Sequence, residues 1–122
     1  MKQEFIPYEQ ALELKKLGFD EPCFGYYSEG ELILNSHTNN HMQRFRYSAP
    51  TFSQAFRWFR EKYGLDSFVK HLYKSTIKVG YYFGVDEYKC IDFQMDLDDY
   101  FKTYEEAELA CLVKLIEIAK QK

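Results

Sequence analysis

Phe52, Ala55, Phe56, Phe59 and Tyr63 recur at i, i+3, i+4, i+7 and i+11, a helix-period apolar stripe that runs up to Gly64. Thr51 stands where its hydroxyl can accept a bond from the first turn, and Gln54 is spaced to reach back and close a capping box. Thr103 and Glu106 repeat that spacing ahead of a second stripe, Tyr104, Ala107, Cys111, Leu115 and Ile118, which Leu109, Leu112, Ile116 and Ala119 widen past the usual arc. A helix so apolar, over about 103–120, must lie at the centre of a core or be covered by a second subunit. An earlier helix is predicted over 7–17, opened by Pro7 and ended by Gly18; Ala11, Leu14 and Gly18 share one line, as in a helix lying against a sheet. The phrases Pro7-Tyr8-Glu9-Gln10-Ala11, Thr51-Phe52-Ser53-Gln54-Ala55 and Thr103-Tyr104-Glu105-Glu106-Ala107 therefore mark three helix starts.

Between the helices the pattern shortens to strand-like runs. Residues 23–27 and 32–34 flank Ser28-Glu29-Gly30-Glu31, a hairpin with glycine in the turn. A polar loop follows over 37–41, and a short return strand is expected around 44–47. Further strands are expected over 68–73, 77–83 and 88–94, with Gly84-Val85-Asp86-Glu87 as the turn between the last two. These elements predict one α+β domain over 1–122: an antiparallel sheet of about four to five strands with three helices mainly on one face, in the order αββαββ(β)α. A hairpin followed by a capped helix occurs twice, at 23–63 and 68–120, and hints at an internal ββα duplication, which convergent capping explains equally well.

Composition narrows the function classes. Eleven Tyr, eleven Phe and one Trp make the chain 19% aromatic, too much apolar surface for a disordered segment and enough to leave rings over for a partner. The net charge of -3 does not favour generic binding to nucleic acid or to an anionic membrane. Charge is nevertheless lopsided: 41–78 is mostly basic and 86–108 mostly acidic. Cys23, Cys90 and Cys111 are widely spaced, which points to buried apolar residues of a reducing cytosol and not to a disulfide framework or zinc knuckle. Neither a basic-then-apolar leader nor an apolar run of about 18 residues is seen, so a cytoplasmic protein is expected.

No pattern for a nucleophile, a phosphate-binding loop or a dinucleotide fold is present, so no enzyme and no cofactor are expected. His37 and His41 lack both the glutamate and the third ligand of a zinc helix, and a calcium loop begun at Asp96 would need Gly at Phe101 and Glu at Ala107. No metal site is therefore expected. What remains is one basic and aromatic constellation: Arg44, Arg46, Arg57, Trp58 and Arg60, with Phe45 and Tyr47. Trp58 sits about 120° from the stripe of its helix, either filling a second internal contact or standing at the surface. Trp, Tyr and Arg dominate protein-interface hot spots, and the same residues can stack on bases and hold phosphates. A protein partner is the expectation, with nucleic acid or a nucleotide bound through 44–60 as the alternative. The wide arc of the last helix adds a homo-dimer.

The blocks Tyr8-Glu9-Gln10-Ala11, residues 18–27, Phe56-Arg57-Trp58-Phe59-Arg60-Glu61-Lys62-Tyr63-Gly64-Leu65 and residues 103–112 carry a resemblance to small uncharacterised proteins common in phages and prophages of gut bacteria. It covers most of the length, with 66–100 diverging most. The resemblance implies a cytoplasmic protein of phage or mobile-element origin, and supplies no residue roles.

Overall fold

In the computed structural model residues 4–38, 46–87, 93–94 and 100–122 are described, with backbone only for 35–38, 46, 87, 93 and 94. The element order is α1 (Tyr8–Lys16), β1 (Cys23–Ser28), β2 (Glu31–Thr38), β3 (Arg46–Ala49), α2 (Phe52–Tyr63), β4 (Leu65–Lys74), β5 (Ile77–Glu87), β6 (Phe93–Gln94) and α3 (Tyr104–Lys120). The α+β class follows directly. The expected single sheet does not: the strands form two antiparallel sheets, β2-β1-β3 and β4-β5-β6. The chain divides accordingly into two compact units, Met1–Ala55 with Ala119–Lys122, and Phe56–Ile118.

In the first unit α1 ends as its sequence dictates. Gly18 takes a φ of 97°, a left-handed conformation that glycine adopts without strain. Its N–H donates to Lys15 O at 3.0 Å and the Phe19 N–H to Leu14 O at 3.0 Å, the paired bonds of a Schellman cap. Ala11 and Leu14 are the buried residues of this helix, which packs on β3. The residues ahead of α1 are tied just beyond β3, with Ile6 N–H donating to Pro50 O at 3.0 Å and Phe5 bridging Thr51. Glu29 and Gly30 form a two-residue turn between paired Ser28 and Glu31. Of the polar loop expected at 37–41, His37 and Thr38 belong instead to β2, and residues 39–41 lie outside the described residues.

In the second unit β4 and β5 make a long hairpin closed by Ser75 and Thr76. Gly84-Val85-Asp86-Glu87 is no turn; it lies inside β5, whose Val85 and Gly84 pair with Phe93 and Gln94. The glycine there answers a ring and not a chain reversal, since Phe68 lies against it from β4. Of the strand expected over 88–94 only Phe93 and Gln94 fall within the described residues. Further on, Phe101 exchanges both backbone bonds with Tyr81 at 2.9 Å. Ala107, Cys111, Leu112, Leu115 and Ile116 of α3 are buried, so the wide arc lies in a core, the first of the two alternatives.

The two three-strand groups differ in connection. The first of its three strands is central in β2-β1-β3, whereas the second is central in β4-β5-β6. A duplicated unit would keep one strand in the middle of both sheets, so the strand order speaks for independent origins of the repeated capping phrase.

Candidate functional site

Of the five residues singled out by composition, the side chains of three, Arg57, Trp58 and Arg60, fall within the described residues. Arg44 lies outside the described residues, and Arg46 is placed in β3 of the first unit by its backbone alone. Arg57, Trp58 and Arg60 belong to α2, on its second-unit part. Both arginines are exposed, and Arg57 pairs with Glu61 at 3.9 Å one turn on. Trp58 is only 6% exposed. Its ring meets Phe59 edge-on at 5.1 Å and Tyr63 at 5.6 Å, with the Lys62 ammonium 5.2 Å above it. It fills an internal contact, and a ring so enclosed cannot serve as an exposed anchor.

The exposed rings gather elsewhere, at the closed end of the β4–β5 hairpin. Antiparallel pairing puts His71 opposite Tyr81, and partners in register point to the same face. Tyr81 also pairs with Phe101, just ahead of the first turn of α3, and this brings Tyr104 over the same strand. A line of rings results: Tyr73 to His71 at 6.2 Å, His71 to Tyr81 at 4.9 Å, and Tyr81 to Tyr104 at 5.8 Å and 89°. Lys78 sits over Tyr81 at 4.6 Å and donates to its hydroxyl at 2.8 Å. On the other face, a Cβ at Gly80 would meet the ring of Tyr100, and the Lys74 ammonium lies 5.8 Å from that ring.

Seven large apolar side chains are exposed among the described residues: Phe24, Leu34, Tyr73, Ile77, Tyr100, Tyr104 and Val113. Four of them, Tyr73, Ile77, Tyr100 and Tyr104, stand at this one end of one sheet, so the exposure is clustered and not scattered. Ile77, beside the turn, is 68% exposed, and Tyr73 is 55% exposed. Lys74 and Lys78 rim the rings with positive charge. Burial pushes the Tyr104 hydroxyl above its ordinary value of 10.0, helped by the charge of Glu108, so the ring stays a neutral phenol at physiological pH.

The chemistry such a surface can perform is adhesion. Burial pushes the thiols of both Cys23 and Cys111 up to about 12, which disfavours the nucleophilic thiolate. Cys90, like His41 and Asp96, lies outside the described residues. No group of three or more metal-ligating side chains occurs among the described residues. Among the described residues no helix is long and apolar enough to cross a membrane. Sequence reasoning placed the hairpin but missed the surface, because alternation shows which residues share a face and not whether a second layer covers it. The available signal was ring density, with His71, Tyr73, Tyr81, Tyr82 and Phe83 within one hairpin.

No protein-family model matches the chain, and no curated protein or solved structure matches it significantly.

Proposed function

We propose that this chain is a non-enzymatic accessory protein that works by binding another protein, and that the closed end of the β4–β5 hairpin is the contact surface. The observation that carries this is the exposure of Tyr73 and Tyr104 on the face of His71 and Tyr81 at that end, with Lys78 over Tyr81, and of Ile77 beside the turn. Tyrosine brings apolar area and a hydrogen-bonding hydroxyl at small entropic cost, and a ring cluster edged by charge is the usual composition of an interface centre and rim. The lysine rim favours a partner with acidic side chains around an apolar patch. A phage or prophage setting in the cytoplasm fits the sequence resemblance, and the partner is then a host or defence component.

The test is affinity capture from host cells with three baits. Wild-type protein and an Arg57→Ala/Arg60→Ala variant are expected to recover the same partner, and a Tyr73→Ala/Ile77→Ala variant to lose it. Recovery with the hairpin variant but not with the arginine variant would move the surface to α2 and favour the nucleic-acid alternative. In that case retention on a nucleic-acid column should fall steeply with salt.

A further inference from the structure

We propose that the first unit carries a second, separate site: a cage for an alkylated ammonium ion formed by Tyr8, Tyr47, Ser28 and Glu29. These four residues line a cavity of about 390 Å³, within the range of small-ligand pockets. Tyr8 comes from the first turn of α1 and Tyr47 from β3, and the packing of α1 on β3 holds the two together. Their ring centroids are 6.0 Å apart and the planes cross at 83°, so they stand as two walls at right angles. Behind them Tyr27 meets Tyr8 at 5.4 Å, fixed by its hydroxyl donating to Ile6 O at 2.7 Å in a buried bond.

A ring face carries the negative part of the aromatic quadrupole, and it attracts a diffuse organic cation with apolar methyl groups. The molecule already shows this preference: the Lys15 ammonium lies 4.7 Å from the Tyr47 centroid, although Lys15 does not line the cavity. Glu29 supplies the full negative charge. It does so from an unfavourable backbone, because its φ is 53°, in the left-handed region that glycine adopts with less strain. The turn Glu29-Gly30 has positive φ at both positions, which Asn-Gly or Gly-Gly would satisfy more easily. Glutamate at that position strains the turn, and it puts an acidic residue into the lining of a cavity that two tyrosines share.

The test uses the full chain and amide-resolved nuclear magnetic resonance titration with choline. The amides of Tyr8, Ser28, Glu29 and Tyr47 should shift together and saturate with a dissociation constant of about a millimolar. The neutral isostere, with carbon in place of nitrogen, should bind about tenfold more weakly or not at all. Glu29→Gly relaxes the turn, so the variant should fold at least as well as wild type while affinity for choline falls roughly five- to tenfold. Tyr47→Leu should abolish the shifts while the remaining spectrum keeps its dispersion. A peptide bearing trimethyl-lysine that binds more tightly than choline would identify a protein-borne ammonium; choline binding the tighter would identify a free one. No saturable shift, equal binding of the neutral isostere, or undiminished binding by both variants would overturn the site.

Discussion

The ring of Phe68 lies across the sheet against Gly84, its register partner, so closely that a Cβ on residue 84 would overlap two of the ring's carbons and crowd a third. A glycine inside a strand leaves backbone bare and weakens it, and a neighbouring aromatic ring can cover the gap. Gly84→Ala should therefore destabilise the fold by about 1–3 kcal/mol, the range for overpacking. In a Phe68→Ala background the same substitution should cost nothing further, because the obstructing ring is gone. Urea unfolding of the four proteins of this cycle measures the coupling. Additive effects would mean that ring and glycine are independent.

Thr103 and Thr51 accept backbone bonds from Glu106 N–H at 3.1 Å and Gln54 N–H at 3.2 Å. Thr103→Ala should lower stability by about 1 kcal/mol, with Thr103→Ser close to wild type. Chemical denaturation of both variants checks this, and equal loss in both would assign the effect to the threonine methyl instead of the cap.

These caps were legible in the sequence because a cap is a local device: the hydroxyl and its N–H are three residues apart. Even so, only half of the expected box forms at α2. The Gln54 side chain donates instead to Glu21 Oε1 and Pro22 O, both at 3.2 Å, partners more than thirty residues away. The same distinction explains the sheets. Periodicity marked strands near 23–34 and 68–83, but the partner of each strand depends on contacts that no short window contains, and one sheet was expected where two formed. For the candidate surface the limit was burial. Tyr73 and Trp58 are both aromatic beside basic residues, and only packing separates the exposed ring from the enclosed one.

Glu13 and Lys120 form an ion pair at 2.5 Å in the first unit. The hydrogen bond from Lys120 is the main reason that the Glu13 carboxyl is held below its ordinary value of 4.5, with the charges of Lys120 and Lys16 adding to it and burial opposing. A depressed carboxyl favours the fold above its unfolded value, and that contribution disappears as pH falls through the folded one. Glu13→Gln should thus lower the urea midpoint at neutral pH and match wild type in acid well below 4.5. Lys120 is half-exposed, so solvent and salt should shrink the difference. A gap that persists in acid would mean that Glu13 acts by packing and not by charge.

Burial pushes the thiols of Cys23 and Cys111 up to about 12, against partial relief from hydrogen bonds with Ser48 and Ser67 respectively. Alkylation needs the thiolate and access to it. Iodoacetamide at neutral pH should leave both residues unmodified in the folded protein and label both after denaturation, as read by peptide mass mapping. Labelling of either at the rate of a free thiol would show that its unit opens readily.

Trp58 is the only tryptophan, so fluorescence reports on it alone. At 6% exposure, with Phe59 and Tyr63 edge-on to its ring, its native emission should be blue-shifted and should move to the red on unfolding. Trp58→Ala should cost about 3–5 kcal/mol, as expected for removing a large ring from a core. Arg57→Ala and Arg60→Ala should stay within about 0.5 kcal/mol of wild type, since both are exposed and the Arg57–Glu61 pair is a solvated one-turn contact. This difference decides how binding data at α2 are interpreted. Loss of a partner with Trp58→Ala follows from loss of the fold, whereas loss with the arginine variants comes from a surface. If Trp58→Ala kept native stability, red-shifted wild-type emission would be expected as well, and together these results would return Trp58 to the exterior as an anchor beside Arg57 and Arg60.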